Sequence, residues 1–370
     1  MNEWTLRGLD GSNPLHALAS FGALLLSDDL AAGARMRWLR DDGFWRPQIR
    51  TTLDAAAWCA GLATRVHGAS VTGSTDKGAQ ADVRRLKAER KKAGDAFKAA
   101  QKSATESAKG QGLGKVEARA WVDGELAPLN ETIRDLDGRL AEAELALSDT
   151  LGFGPAHLGD IIGVSAEVFR RHARRALDPN AGDVATRRQL AGLGSDACLT
   201  AERITPTPFS FGNGASGQCL LKDFRATAAL VTVASVRATL LDGAVATAAV
   251  TSLNWDPCDQ RNYALRWRDP QDEVAVTDIV GNALAYLGLG MVTAMPRARG
   301  LDAVAFVDRG FEWALWKGWI GVDVVRALLA GRPSKDALHA RAARGVVAAY
   351  RSDISNPTGK RKFFAPATAI

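Results

Sequence analysis

Four aspartates gather in one stretch, at Asp256, Asp259, Asp269 and Asp272. Convergent carboxylates can hold a divalent metal that activates water, which is the chemistry of a metal-dependent nucleic-acid enzyme. Such a site needs rigid elements and usually a Lys or His to orient the water. Here Asp256 precedes Pro257 and Asp269 precedes Pro270, and Asp before Pro commonly opens a turn. A turn is the simpler reading. The five histidines, His16, His67, His157, His172 and His339, are scattered, with no His-x-x-x-His motif and no neighbouring His-Asp pair. The cysteines Cys59, Cys198, Cys219 and Cys258 form no Cys-x-x-Cys pair, so neither a zinc centre nor any other metal site is expected. The glycine-rich run Gly212-Asn213-Gly214-Ala215-Ser216-Gly217-Gln218 lacks the Lys-Ser/Thr ending of a P-loop and the dinucleotide spacing. No cofactor is expected. Its backbone N–H groups, with Asn213 and Gln218, could still meet a phosphate at the start of the following helix.

The residue types that recur are basic. With 47 Lys+Arg against 41 Asp+Glu, the chain carries a formal +6. That permits a nucleic-acid partner without requiring one. The candidate phosphate ligands are Lys87, Lys91 and Lys92, then Arg171, Arg174 and Arg175, then Lys360, Arg361 and Lys362. Arg266 and Arg268 flank Trp267, where an aromatic ring could stack on a base. Most of the ten tryptophans, including Trp38, Trp45, Trp255, Trp313, Trp316 and Trp319, are expected in the core.

The elements that position these residues begin with a strand at Trp4–Leu6. A helix follows, capped by Ser12 or Asn13, with Pro14 at its first position. Asp41-Asp42-Gly43 joins two hairpin strands, and Leu53–Val66 reads as a second helix. Val83, Leu86, Arg90, Ala93, Phe97, Ala100 and Ala104 are spaced three and four apart. So are Leu126, Leu129, Ile133, Leu136, Leu140, Ala143 and Leu147, with Gly110-Gln111-Gly112-Leu113-Gly114 between the two series. This spacing predicts an antiparallel coiled-coil hairpin. Its halves carry opposite charge, which favours one register. Residues 218–240 read as one long apolar helix, Tyr263–Trp267 and Phe311–Trp316 as strands, and Gly281–Leu289 and Val322–Leu329 as helices.

The expected fold is α+β, a mixed globular body with an inserted antiparallel helical coiled-coil hairpin. Residues 1–75 are the N-terminal α+β part, 76–150 the inserted arm, 151–200 a basic helical segment and 201–370 the C-terminal α+β part. No apolar run of membrane-spanning length is free of charge: Arg237 interrupts Ala226–Val250. No basic start followed by an apolar core marks a leader. A cytoplasmic protein with reduced thiols is expected.

Three stretches carry a resemblance. One is Leu9-Asp10-Gly11-Ser12-Asn13-Pro14-Leu15-His16-Ala17-Leu18, continuing to Leu24. Another is Trp255-Asp256-Pro257 with Asp259, Arg261 and Tyr263-Ala264-Leu265. The third is Trp313-Ala314-Leu315-Trp316 followed by Val322–Leu329. Together they resemble the large-subunit-type proteins of type I CRISPR effector (Cascade) complexes, in the I-G or I-U lineage. The charged arm is not part of the likeness. The resemblance implies a non-catalytic subunit of an RNA-guided surveillance complex in antiviral defence. Its partners would be guide RNA, target double-stranded DNA with the short motif beside the target, and other protein subunits. Two rivals are the metal-dependent enzyme using Asp256 and Asp259, and a protein-only scaffold docking through the arm.

Overall fold

The computed structural model describes residues 1–70, 77–150, 166–178, 184–200, 202–211, 220–259, 276–297, 300–335, 338–356 and 362–370; the side chains of 70, 144, 145, 147–150, 175, 335 and 338 are outside that description. The chain mixes helix and strand. Its residues divide into two compact units, Met1–Thr72 with Phe153–Ile370, and Gly73–Gly152.

The first unit opens with β1 (Asn2–Thr5) and α1 (Pro14–Leu30). Asn13 is the cap of α1: its side-chain oxygen accepts the N–H groups of Leu15 and His16. Pro14 costs nothing at the first position, where its missing N–H would have no helical partner. β2 (Arg35–Asp41) and β3 (Phe44–Thr51) form a hairpin, and the sheet order is β1-β3-β2. Asp42 and Gly43 turn it with φ of 47° and 83°, the left-handed pair that matches strand twist. α2 (Ala55–Ser70) follows.

The second unit is a helical hairpin of α3 (Lys77–Gly110) and α4 (Lys115–Thr150). Val83, Leu86, Ala104 and Ala108 on α3 are buried, as are Leu126 and Leu136 on α4. Arg90, Ala93, Phe97, Ala100, Leu129, Ile133, Leu140 and Ala143 are half-buried, so the described residues of the three-four series line the inner side of each helix. Arg90 occupies an apolar slot of the series. Its Nε donates to Asp137 Oδ1 at 2.9 Å, joining the two helices. Leu147 has its side chain outside the described set.

The first unit resumes with α5 (Ala166–Leu177), α6 (Val184–Leu193) and the ribbon of β4 (Leu199–Thr200) and β5 (Arg203–Ile204). The apolar run at 218–240 is not one helix. It forms α7 (Leu220–Ala228) and α8 (Val233–Arg237), the latter extended by a π turn over Ala238–Asp242, and the two are bent by 98°. The break has a local cause. Thr232 and Ser235 form a reciprocal capping box, each side chain holding the other's backbone N–H, which starts a new helix there. Hydropathy alone does not register that stop. No single helix among the described residues is long and apolar enough to cross a membrane.

β6 (Thr247–Ala248) pairs with β7 (Thr277–Asp278), which leads into the fully buried α9 (Ile279–Gly288). β8 (Ala294–Arg297) and β9 (Gly300–Ala303) make another ribbon. The last sheet comprises β10 (Phe306–Val307), β11 (Gly310–Trp316), β12 (Val346–Ser355), β13 (Phe363–Phe364) and β14 (Thr368–Ala369), with α10 (Val322–Ala330) and α11 (Leu338–Ala343) between β11 and β12. The N- and C-terminal parts are not separate bodies. One apolar cluster runs from Leu6 through α1 and α9 to Phe364. The predicted strand at Tyr263–Trp267 lies outside the described residues.

Candidate nucleic-acid interface

Described residues from each of the three stretches that carry the resemblance meet in space, while Arg261, Tyr263, Ala264 and Leu265 lie outside the described residues. Asn13 Nδ2 donates to Asp256 Oδ1 at 3.2 Å, across 243 positions of sequence. Trp313 Nε1 donates to the Gly11 carbonyl at 2.7 Å, and Trp316 Nε1 to the Met36 carbonyl at 2.9 Å. Trp255 Nε1 donates to the Phe209 carbonyl at 2.9 Å. A buried indole needs an acceptor, and here each takes a loop or strand carbonyl. These residues tie distant segments into one frame.

Asp256 is engaged in its own turn as well. Its Oδ1 accepts Cys258 N at 2.9 Å, over a 3-10 turn at Pro257–Asp259. The Asp256 carboxylate, then burial, push the Cys258 thiol pKa up. Among the described residues no group of three or more His, Cys, Asp and Glu is placed to hold a metal. Asp269 and Asp272 lie outside the described residues.

A His–Asp pair exists that sequence spacing does not reveal. The Asp10 N–H donates to His16 Nδ1 at 3.1 Å, so the neutral imidazole carries its proton on Nε2. That atom faces Asp278 Oδ2 at 4.0 Å. Asp278 caps α9 with its other oxygen, which accepts Gly281 N at 2.9 Å. Burial raises the Asp278 pKa, the Gly281 N–H and His16 pull it down, and Asp256 adds to the rise; the net direction is upward. The folded state therefore binds the proton more tightly than the unfolded chain. Its stabilising effect is complete below the unfolded carboxyl value near ~3.9 and is lost as pH rises through the folded value. Asp278→Asn keeps a capping oxygen and removes this titration. We expect the stability advantage of wild type over Asp278→Asn to grow as pH falls toward 4. Asp278→Ala, lacking the cap, should be about 1 kcal/mol less stable than Asp278→Asn. Denaturant melts across pH read both, and parallel pH profiles for wild type and Asp278→Asn would contradict the assignment.

The predicted basic residues are distributed over several elements. Lys87, Lys91 and Lys92 are exposed on α3 of the hairpin unit. Arg174 is exposed on α5, 4.0 Å from Glu167, and Arg171 is half-buried on the same helix. Arg175 belongs to α5, with its side chain outside the described set. Lys362 is exposed just before β13. Asn213, Gln218, Arg266, Arg268, Lys360 and Arg361 lie outside the described residues. Other arginines of the same basic region are paired with carboxylates elsewhere in the first unit. Arg170 pairs with Asp196 at 3.0 Å, and Arg188 with Asp29 of α1 at 2.7 Å.

One set of basic residues was not singled out by sequence. Arg35, Arg37, Arg46 and Arg50 stand on β2 and β3, and strand register puts all four on one face. Their alternate spacing was the available signal, but it gains meaning only once β2 and β3 are paired. Compared with protein-family models, curated proteins and solved structures, the chain finds no match in any of the three.

Proposed function

We propose that this protein is a non-catalytic subunit of a multi-protein, RNA-guided DNA-targeting complex, similar to the large subunits of type I CRISPR effectors. In this reading it contacts the backbones of guide RNA and target DNA, and α3 and α4 act as a coiled-coil arm. The observation that carries the nucleic-acid part is positive charge left without a partner on exposed surface. Lys91 and Lys92 sit on the outer side of α3, and neither enters an ion pair among the described residues. Arg90, on the inner side, is the one turned to Asp137. Charge that closes the hairpin is thus distinct from charge that faces solvent. The subunit class rests on the sequence resemblance, whose three stretches converge at Asn13, Asp256 and Trp313.

The test is affinity for duplex DNA over a salt series, in the assembled complex. Each phosphate contact releases condensed counterions, so removing one true contact lowers the magnitude of the log-affinity against log-salt slope by about 0.9. Lys91→Gln with Lys92→Gln, Arg171→Gln with Arg174→Gln, and Lys362→Gln are the variants. At least one set should flatten the slope. If none alters slope or affinity, the scaffold reading takes its place. Divalent-metal-dependent cutting by the isolated chain, abolished by Asp256→Ala, would replace the subunit with an enzyme.

A further inference from the structure

We propose that the outer face of the β1-β3-β2 sheet is a docking face for single-stranded nucleic acid, with Arg35, Arg37, Arg46 and Arg50 meeting phosphates and Trp319 and Phe44 offering rings to bases. The proposal deepens the nucleic-acid reading above and names a site outside its candidate residues.

Register defines the face. Arg35 stands opposite Arg50, Arg37 opposite Gln48, Leu39 opposite Arg46, and Asp41 opposite Phe44. The other face of the same strands is core, with Met36, Trp38 and Ile49 buried. Trp319 lies over the outer face, because the guanidinium groups of Arg37 and Arg50 stack on its ring at 4.4 and 4.2 Å. At the hairpin end Arg46 stacks on Phe44 at 4.4 Å, and Phe44 is 48% exposed.

The four guanidinium groups of this face meet two carboxylates, Glu3 and the exposed Asp41 at the hairpin end, so its charge is only partly answered. Glu3 takes Arg50 at 2.6 Å and lies 3.7 Å from Arg37, so one carboxylate serves two guanidinium groups. Arg46 donates to the Leu9 carbonyl, which satisfies a hydrogen bond but leaves the charge. Arg35 is exposed and, among the described residues, has no ion pair. It also stands directly opposite Arg50, and like charges opposite each other on paired strands repel. An anion on this face relieves that repulsion.

Three properties choose the occupant. Guanidinium forks match phosphate oxygens in pairs. Arginine planes and aromatic rings together form stacking platforms, which serve unpaired bases of any sequence. From Phe44 to Arg50 the strand extends about 20 Å, enough for several stacked or splayed bases. A duplex would offer so flat a face only its phosphates, because a groove admits a helix or a two-stranded ribbon. Phe44 and Trp319 would then have no role. An acidic polypeptide would answer the charge, but its carboxylates do not stack on the rings as successive bases do.

The experiment measures binding of a labelled oligothymidylate to the purified full chain by fluorescence anisotropy over a salt series. Arg35→Gln, at an exposed site without an ion pair, should reduce the magnitude of the salt slope by about 0.7. Phe44→Ala should weaken binding roughly tenfold. Trp319→Leu should do likewise, and Phe44→Ala keeps the test valid if Trp319→Leu fails to fold. If Arg35→Gln and Phe44→Ala both bind as wild type, the sheet face is not the site; loss on Lys91→Gln with Lys92→Gln would then leave the broader nucleic-acid reading standing. Tighter binding of a duplex of equal length, or equal competition by polyglutamate, overturns the single-strand assignment. No binding of the wild type to oligothymidylate at low salt overturns the sheet-face assignment, while the broader reading is decided by the salt series on the assembled complex.

Discussion

Gly22→Ala is expected to destabilise the body by about 3 kcal/mol or more, the upper range for forcing an extra methyl into a packed core. A Cβ at Gly22 would overlap the Leu284 carbonyl oxygen of α9 and lie 3.0 Å from Gly288 N. The relation is reciprocal: a Cβ at Gly288 would overlap the Leu18 carbonyl of α1. The two helices therefore touch backbone to backbone, and neither peptide group can move aside as a flexible side chain would. Both helices are buried nearly throughout, so separating them opens the centre of the core. Gly68→Ala is the control. It lies within α2 with nothing near its Cβ position and should cost nothing. Denaturant midpoints of the two variants decide the matter. A Gly22→Ala protein as stable as wild type would mean that α1 and α9 do not approach this closely.

Arg351→Ala is expected to cost about 3–5 kcal/mol, the loss found when one partner of a buried ion pair is removed. Glu312 is fully buried, and Arg351 stands opposite it on β12. Arg351 Nη1 donates to Glu312 Oε1 at 2.8 Å, while Arg351 also reaches Asp353 Oδ1 at 2.8 Å and the Asp308 carbonyl at 3.2 Å. The other Glu312 oxygen accepts Ser334 N at 3.3 Å. Removing the arginine leaves a carboxylate in the sheet interior with one backbone N–H. Glu312→Gln removes the buried charge and keeps that acceptor. Placed in the Arg351→Ala background, it should therefore recover a large part of the loss, which a double-mutant cycle measures. Additive single effects would show that the two side chains do not depend on each other.

Local features were legible because their causes lie within a few residues. The capping of α1 needed only Asn13 and Pro14. The β2–β3 turn needed Asp42 and Gly43. The inner sides of α3 and α4 followed from three-four spacing, in which Arg90 was an odd member until Asp137 appeared across from it. The break near Thr232 was also local, yet the apolar content of the run masked a cap made from two small polar residues. Among the candidate site residues, sequence identified basic clusters by crowding. It could not separate Arg170 and Arg188, which answer Asp196 and Asp29, from residues facing solvent.

Helices, turns and charged faces were thus readable from the chain, because the forces behind them act between neighbours along it. Tertiary structure decided which of those neighbourhoods meet. It brought His16 to Asp278 and Asn13 to Asp256, and it laid Arg37 and Arg50 against Trp319. None of these meetings has a sequence period, because each follows from packing α1 against α9 and β11 beside the β1-β3-β2 sheet. The physical reason is range. Caps, turns and amphipathic stripes are set by backbone geometry over one or two turns of chain, whereas a polar contact across hundreds of residues exists only after apolar burial has fixed both of its ends in place.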